Sequence, residues 1–352
     1  MIRACHNTSD PLEAAMTVRF WGARGSLPAP ARKNMRYGGN TSCVEVRSDG
    51  QLLILDGGSG IRLLGEELLG HSDGKQLEGT LLFSHTHWDH IQGLPFFAPG
   101  YSAQNCFQVF SAPGSGWQLQ RALENQMSPP YFPVGLGEMR GLGEIQELNA
   151  ESVTLGKFRI RTTQLNHPGG CAGFRIETSN ASLGYLPDHE PYTKRPNETD
   201  GAADAQLKLL EFLRELDVLV LDTQYTVAEY AQHVGWGHGC VSDSVRLAIE
   251  ANVGRLILFH HDPSHDDEQM DQIVETAREL AAGSSLIVDA ASENAALRVG
   301  LTGSQVPGTY EQALFPLDIG LVASPLPFKT AHEYDESVIA SSKTAGTAFG
   351  LL

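Results

Sequence analysis

Cysteine is scarce in this sequence, and its placement excludes two kinds of site. The five cysteines are scattered and form no C-x-x-C pair; they are Cys5, Cys43, Cys106, Cys171 and Cys240. A disulfide framework needs an even, patterned set, and a thiolate zinc site needs closely spaced pairs. Because free cysteine is usually buried, we expect buried, unpaired thiols.

Long apolar runs and positive charge are also lacking. No window approaches the roughly 18 apolar residues that a membrane span needs, and the N-terminal MIRACHNTSDPLEAAM has no apolar signal-peptide core. We therefore expect a soluble, cytoplasmic protein with no membrane partner. Lys and Arg number 25 against 42 Asp and Glu, a net charge of −17. Such a chain has few cations to spread along a phosphate backbone, which disfavours long nucleic acid as a partner.

The remaining composition is that of a globular protein with mixed secondary structure. With 352 residues, 41% of them apolar, the chain can bury a large core. Strands separated by Gly-rich turns come first, helices follow, and no repeat period is present, which predicts α/β layers. We divide the chain into a leader (1–16), a main domain (17–295) and a C-terminal extension (296–352) of unassigned role. Residues 100–150 are rich in Pro and Gly and are predicted to be an excursion.

Local patterns place the elements. VEVRSDGQLLILDGG predicts a β-hairpin around Asp49-Gly50, and IRLLGEELLG has the leucine spacing of a helix. Buried strands are predicted at GTLLFSH, FQVFSA, KFRIRTTQL, GFRIET, ASLGYLPD, DVLVLDT and RLILFHH. Helices are predicted at about 115–127, 202–215, 241–252 and 266–282.

The strongest chemical signal is the segment SHTHWDH, residues 84–90, at the end of an apolar strand. In an extended chain His85 and His87 project to the same side, whereas Asp89 and His90 follow at a turn and can face the other way. One short segment thus offers two imidazoles to one metal ion and a carboxylate with an imidazole to a second.

A metal pair needs further ligands, and three strand ends offer them: His167 in QLNHPGG, Asp188 in YLPDHEP, and His260 or His261 in LILFHHDP. The first ion would be bound by His85, His87 and His167. The second would be bound by Asp89, His90 and one residue of the HH pair, with Asp188 bridging the two. Nitrogen and carboxylate oxygen without thiolate suit zinc best, with manganese and iron as alternatives.

Taken in their order along the chain, these motifs resemble those of the metallo-β-lactamase superfamily over about residues 17–290. The resemblance implies a four-layer αββα sandwich with two metals at one edge. It also implies that Asp56, in LILDGGSG, orients the histidine-bearing loop.

Residues 217–261 resemble the ribonuclease Z and phosphodiesterase branch of that superfamily. There an acidic residue at a strand end and a His that opens the next helix form a dyad beside the metals, which here implies Asp222 and His238 as catalytic residues. The ligand in that branch is the first His after the strand, His260. His261 would then be a neighbour or a substrate contact. Arg24 and Asn40 lie in Gly-rich loops. Two roles stay open for them: their side chains approach the site, or they stabilise turns.

The resemblance implies a dinuclear hydrolase of a small phosphodiester such as a cyclic nucleotide. A hydroxide bridging the metals would attack phosphorus, and His238 would protonate the leaving oxygen. Three alternatives stay open: thioester or lactone hydrolysis of the glyoxalase II type, tRNA 3′ processing, and a non-catalytic metal-bearing sensor. The chain has no Gly- and Lys-rich arm for gripping tRNA. A homo-oligomer is also left open.

Overall fold

Two β-sheets organise the residues described by the computed structural model, which are 16–148, 152–192, 201–300 and 310–311. All of these lie within one compact unit, Met1–Ala313. The predicted leader, apart from Met16, and most of the predicted C-terminal extension lie outside the described residues. The strands are β1 Met16–Gly22, β2 Cys43–Ser48, β3 Gln51–Leu55, β4 Glu78–Phe83, β5 Cys106–Ser111, β6 Leu142–Glu147, β7 Ser152–Leu155, β8 Phe158–Leu165, β9 Cys171–Glu177, β10 Ser182–Leu186, β11 Val218–Asp222, β12 Arg255–Phe259, β13 Ile287–Ala290, β14 Ala296–Val299 and β15 Tyr310–Glu311.

Most helices of the described residues pack on the outer faces of these sheets, and two short ones lie in the loops at the edge of the sandwich. They are α1 Ile61–Gly70, α2 Trp88–Ile91, α3 Gly116–Gln126, α4 Gly201–Leu213, α5 Val227–His233, α6 Val241–Glu250 and α7 Asp267–Ala281. Short 3-10 helices lie at Arg32–Asn34, Leu94–Phe96, Ala98–Tyr101 and Leu136–Glu138.

The first sheet has the order β15-β14-β1-β2-β3-β4-β5-β6, and the second has the order β13-β12-β11-β10-β9-β8-β7. A central core joins their inner faces, with Phe20 and Leu53 from the first sheet against Phe174 and Ile257 from the second. One outer core packs α1 and α3 on the first sheet, and another packs α4, α6 and α7 on the second. The predicted four-layer αββα sandwich is confirmed.

The sequence explains which strands lie at the centre. Every residue of β11 (VLVLD) and β12 (RLILF) is buried, as expected for parallel strands that are covered on both faces. Helix α7 buries Met270, Ile273, Val274 and Ala277, which are spaced so as to form one apolar stripe. The predicted hairpin turn has positive φ at both Asp49 and Gly50, the conformation of a two-residue type I′ turn.

The structure differs from the expectations in two places. Residues 100–148 are an integral part of the fold rather than an excursion, because β6 extends the first sheet and α3 extends its helical cover. Strand β14 begins at Ala296 and pairs with β1, Met16 opposite Val299. Cys43, Cys171 and Cys240 are buried and free as expected, but Cys106 is exposed at the outer end of β5; Cys5 lies outside the described residues. Within the described ranges, no helix combines the length and the apolar content needed to cross a bilayer.

Candidate metal centre and catalytic dyad

The candidate ligands gather at one edge of the sandwich because they follow the carboxyl ends of strands. His85 follows β4, His167 follows β8, Asp188 follows β10 and His260 follows β12. Strands β10, β11 and β12 are parallel neighbours, so the residues after them emerge on the same side. Antiparallel pairing through β9 gives β8 the same direction as β10.

The first group contains His85, His87, His167 and Asp188, each with a ligand atom within 4.8 Å of those of the others. The His87 Nδ1 lies 2.9 Å from the His167 Nε2. One oxygen of Asp188, Oδ2, lies 3.5 Å from the Nε2 of both His85 and His167. His87 is exposed, whereas the other three are buried.

The second group contains Asp89, His90 and His260, all of them buried. The Asp89 Oδ2 lies 3.3 Å from the His90 Nε2 and 3.1 Å from the His260 Nε2. The other oxygen of Asp188, Oδ1, lies 3.1 Å and 3.3 Å from the same two nitrogens. Asp188 therefore presents one oxygen to each group, which is the arrangement that a bridging carboxylate requires.

The donor atoms fit divalent cations. The His85 Nε2, the His90 Nε2 and the Asp188 Oδ1 are buried without a hydrogen-bond partner, although such atoms are normally paired. They point toward one another with nitrogen and carboxylate chemistry and no thiolate, a set that suits zinc, iron or manganese.

Hydrogen bonds at Nδ1 fix the orientation of three imidazoles, so that each ring turns its Nε2 toward one of the two ligand groups. The Nδ1 atoms of His90, His167 and His260 lie 2.9, 2.8 and 2.9 Å from the Asp56 Oδ2, the Gly237 carbonyl and the Gln224 Oε1. With the proton on Nδ1, the lone pair of Nε2 is directed at the metal position.

Asp56 orients the histidine loop, as the resemblance implies. Its carboxylate accepts from the Ser84 amide at 2.7 Å, from the Ser84 hydroxyl at 2.8 Å, from the Tyr185 hydroxyl at 2.8 Å and from His90. Both Asp56 and the candidate ligand His260 have positive φ, 59° in each case. Backbone strain of this kind is tolerated where surrounding contacts hold a functional residue in place.

Burial and close charges shift the pKa values of the groups in the cluster. Burial holds the pKa of His85 well below its usual range, which keeps this imidazole neutral. Burial alone would raise the pKa of Asp89, but the neighbouring His90 and His260 together outweigh it, and the pKa of this carboxyl falls below its usual range. Burial opposes the charge on His90, yet Asp188 and Asp89 raise its pKa well above the usual value. A cation that binds His90 would therefore displace a proton.

The dyad lies next to the second group. The His238 Nδ1 lies 2.8 Å from the Asp222 Oδ2, and the His238 ring stacks on His260 at 4.8 Å between centroids. Asp222 is fully buried and also accepts from the backbone amides of His189 and Gln224, both at 3.0 Å. Burial opposes the charged imidazolium, but Asp222, together with Asp188 and Asp89, outweighs it and raises the pKa of His238 to about 9. We expected His238 to open a helix; it lies instead in the loop between α5 and α6, three residues before Val241.

The structure separates the two residues of the HH pair. His260 faces the second group, whereas His261 points the other way, with its Nε2 2.8 Å from the Ala291 carbonyl and its ring edge-on to Tyr37. His261 has no exposed surface, so it is a buried neighbour and the alternative of a substrate contact is wrong.

Arg24 and Asn40 stabilise loops. Arg24 is fully buried and donates to the carbonyls of Gly38, Asp262 and His265. The Asn40 side chain bonds to Glu293 and Ser59.

Sequence reasoning missed several residues that shape the site. The Ser26 amide donates to the Asp89 Oδ2 at 2.8 Å, and Gly25 lies so close to His260 that a Cβ there would be 2.3 Å from its ring. The buried Glu190 accepts from the amides of Gly235 and Gly237, at 2.6 and 3.0 Å, on either side of Trp236. Gly-rich stretches mark both loops, but nothing in the sequence indicates what these loops contact.

Comparisons with known proteins agree with this architecture. A family model described as "Beta-lactamase superfamily domain" matches residues 70–261. A protein named ribonuclease Z from Thermoplasma acidophilum is 26% identical over 299 residues, 74% of this chain and 90% of the relative. Among solved structures, yeast PDE1 has a TM-score of 0.60 at 16% identity, covering 80% of this chain and 99% of its own. The metallo-β-lactamase fold protein YhfI from Bacillus subtilis has a TM-score of 0.58 at 18% identity, covering 81% and 99%. At these identities the solved structures establish a shared fold.

Proposed function

The chain belongs to the β-lactamase superfamily and is a metal-dependent hydrolase, and from this premise we propose that it hydrolyses a small phosphodiester such as a cyclic nucleotide. The ligands in this proposal are His85, His87 and His167 for one cation, Asp89, His90 and His260 for the other, and Asp188 between them. We assign zinc as the metal because of the nitrogen-rich donor set.

The observation that carries the proposal is the Asp222–His238 pair beside the ligand cluster. Bound cations would supply a water of lowered pKa and would stabilise charge on the phosphoryl oxygens. A phosphodiester then still needs a proton on its leaving alkoxide, because an alkoxide is a poor leaving group. His238 can hold that proton near neutral pH, since Asp222, together with Asp188 and Asp89, raises its pKa to about 9. Thioester hydrolysis has less need of such an acid, because a thiolate leaves more readily than an alkoxide.

The acidic surplus supports a small substrate. With a net charge of −17, the protein would repel a long polyanion over most of its surface. Two divalent cations would make the local electrostatic potential positive at the edge of the sandwich, which is enough to attract one phosphate group.

Processing of precursor tRNA is the second candidate, favoured by the relatives named ribonuclease Z, which align over 90% and 94% of their length. The same dyad and cations would serve that reaction, so the two candidates differ in the substrate that reaches the site.

A substrate panel on zinc-loaded protein tests the proposal. We expect turnover of 3′,5′-cyclic AMP and bis(p-nitrophenyl) phosphate, and little or none of S-lactoylglutathione. Cleavage of precursor tRNA with no activity on cyclic AMP would replace the first candidate by the second. Activity confined to S-lactoylglutathione would contradict both.

A further inference from the structure

Three aromatic rings continue from the proposed acid to the protein surface. Tyr225 lies edge-on to His238 at 6.2 Å between ring centroids. His233 stacks on Tyr225 at 4.5 Å with planes 15° apart. Trp236 packs edge-on against His233 at 4.7 Å. We call Tyr225, His233 and Trp236 the aromatic ledge.

The ledge ends in an exposed but firmly held indole. Trp236 is 62% exposed, which leaves much of a large apolar ring in water. Its backbone is fixed, because Glu190 binds the amides on both sides of it and the Trp236 amide donates to the His233 carbonyl at 3.0 Å. A flat apolar surface that is held before any ligand arrives costs little further ordering on binding.

The position of the ledge indicates which part of a substrate would meet it. His238 is the proposed donor to the leaving oxygen, so the leaving group lies on the His238 side of the metals. In a cyclic nucleotide that oxygen belongs to the ribose that carries the base. A nucleobase stacks well on an aromatic ring, and this contact requires no charged side chain.

We propose that the aromatic ledge, with Trp236 at its surface, is the subsite for the base of a nucleotide substrate. This inference rests on the proposed function, because the leaving-group side is defined by His238. It adds that the substrate is a nucleotide, and that the protein recognises its base by stacking.

The test compares two ligands that differ only in the base. Adenosine 5′-monophosphate and ribose 5-phosphate are titrated separately into zinc-loaded protein by calorimetry. We expect the wild type to bind the nucleotide more tightly. Trp236→Ala should reduce that preference by about 5- to 150-fold, the range for loss of one stacked base, and Trp236→Phe should restore most of it. Trp117→Ala is the matched control, because Trp117 is 63% exposed on the helical layer of the other sheet.

Four results would overturn the inference: no preference in the wild type, a preference that survives Trp236→Ala, an equal weakening of both ligands, or loss of the preference in Trp88→Ala instead. Trp88 is 66% exposed and lies between His87 and Asp89, on the side of the metal ligands. The titration needs no turnover. A base preference that depends on Trp236 in a protein without phosphodiesterase activity would contradict the proposed function alone.

Discussion

At the scale of single residues, the site depends on side chains whose charge is set by their neighbours. His238 is the clearest case. Burial alone favours the neutral imidazole, and the Asp222 carboxylate, together with Asp188 and Asp89, makes the imidazolium the stable form near neutral pH. Since Asp222 is itself held by two backbone amides, the pair is fixed before a substrate binds.

The dyad predicts how activity depends on pH. His238 must be protonated to act as an acid, so kcat/KM for cyclic AMP should fall as pH rises through its pKa. That pKa is about 9 from the protein groups alone, and bound cations shift the fall to lower pH. In Asp222→Asn the fall should move to still lower pH, because the charge that raises the pKa is gone. A profile whose alkaline side is the same in both proteins would contradict this role.

At the scale of elements, the segment Ala23–Ser26 is a support for the second ligand group. Ser26 donates to Asp89, Gly25 lies against the His260 ring, and Arg24 holds the carbonyls of the loop after His261. Two ligands from opposite sheets are thereby kept in register by one loop.

Gly25→Ala tests this support. The added Cβ would lie 2.3 Å from the His260 ring, so the ring must move. We expect affinity for the second ion to fall by about 10- to 100-fold, the usual effect of disturbing a ligand's support, while the first ion still binds. Competition with a chromogenic chelator measures both affinities. Gly70→Ala is the control, because nothing lies within 4 Å of a Cβ there. Unchanged affinity for both ions in Gly25→Ala would contradict the supporting role of the segment Ala23–Ser26.

The sequence predicted those elements whose signal is local. The segment 85–90 indicates candidate metal ligands because neighbours in the chain remain neighbours in the fold, and β11 and β12 are buried runs of mostly apolar residues. Strand β6 was missed because it lies at a sheet edge with only partial burial. Helix α5 was missed because it buries no residue; its capping box, Thr226 with Glu229, was the available signal.

Supporting contacts could not be predicted because they join distant parts of the chain. Ser26 and Asp89 are 63 positions apart, and Glu190 and Gly235 are 45 apart. Such pairs depend on strand order and loop paths, which local periodicity does not encode. The strand-end histidines can be anticipated because each follows a predicted strand, and the resemblance to a known family favours His260 over His261.

At the scale of the whole molecule, the ligand groups join the two sheets. The ligands from 85–90 follow a strand of the first sheet, and His167, Asp188 and His260 follow strands of the second. Cations bound between them would cross-link the layers, so binding should also stabilise the fold.

Removal of metal should therefore lower thermal stability. An ion at 100 times its Kd contributes about 2.7 kcal/mol, and about 2 to 4 °C in Tm follows each kcal/mol in domains of roughly this size. We expect a chelator to lower Tm by about 5 °C or more, measured by calorimetry. His87→Ala should show a smaller shift. A Tm that does not respond to the chelator, in protein shown to have contained metal, would contradict a cross-linking role.

If His238 delivers a proton to the leaving group of a phosphodiester, its removal should matter only for substrates whose leaving group needs that proton. Cyclic AMP expels an alkoxide that needs a proton, whereas bis(p-nitrophenyl) phosphate expels a stable phenolate that does not. In His238→Ala we predict that kcat/KM falls by about 10²- to 10⁴-fold for cyclic AMP but less than about tenfold for the nitrophenyl ester, with metal content unchanged. His71→Ala, which removes an exposed histidine after α1, is the control. Equal losses on both substrates, or no loss on cyclic AMP, would contradict the account.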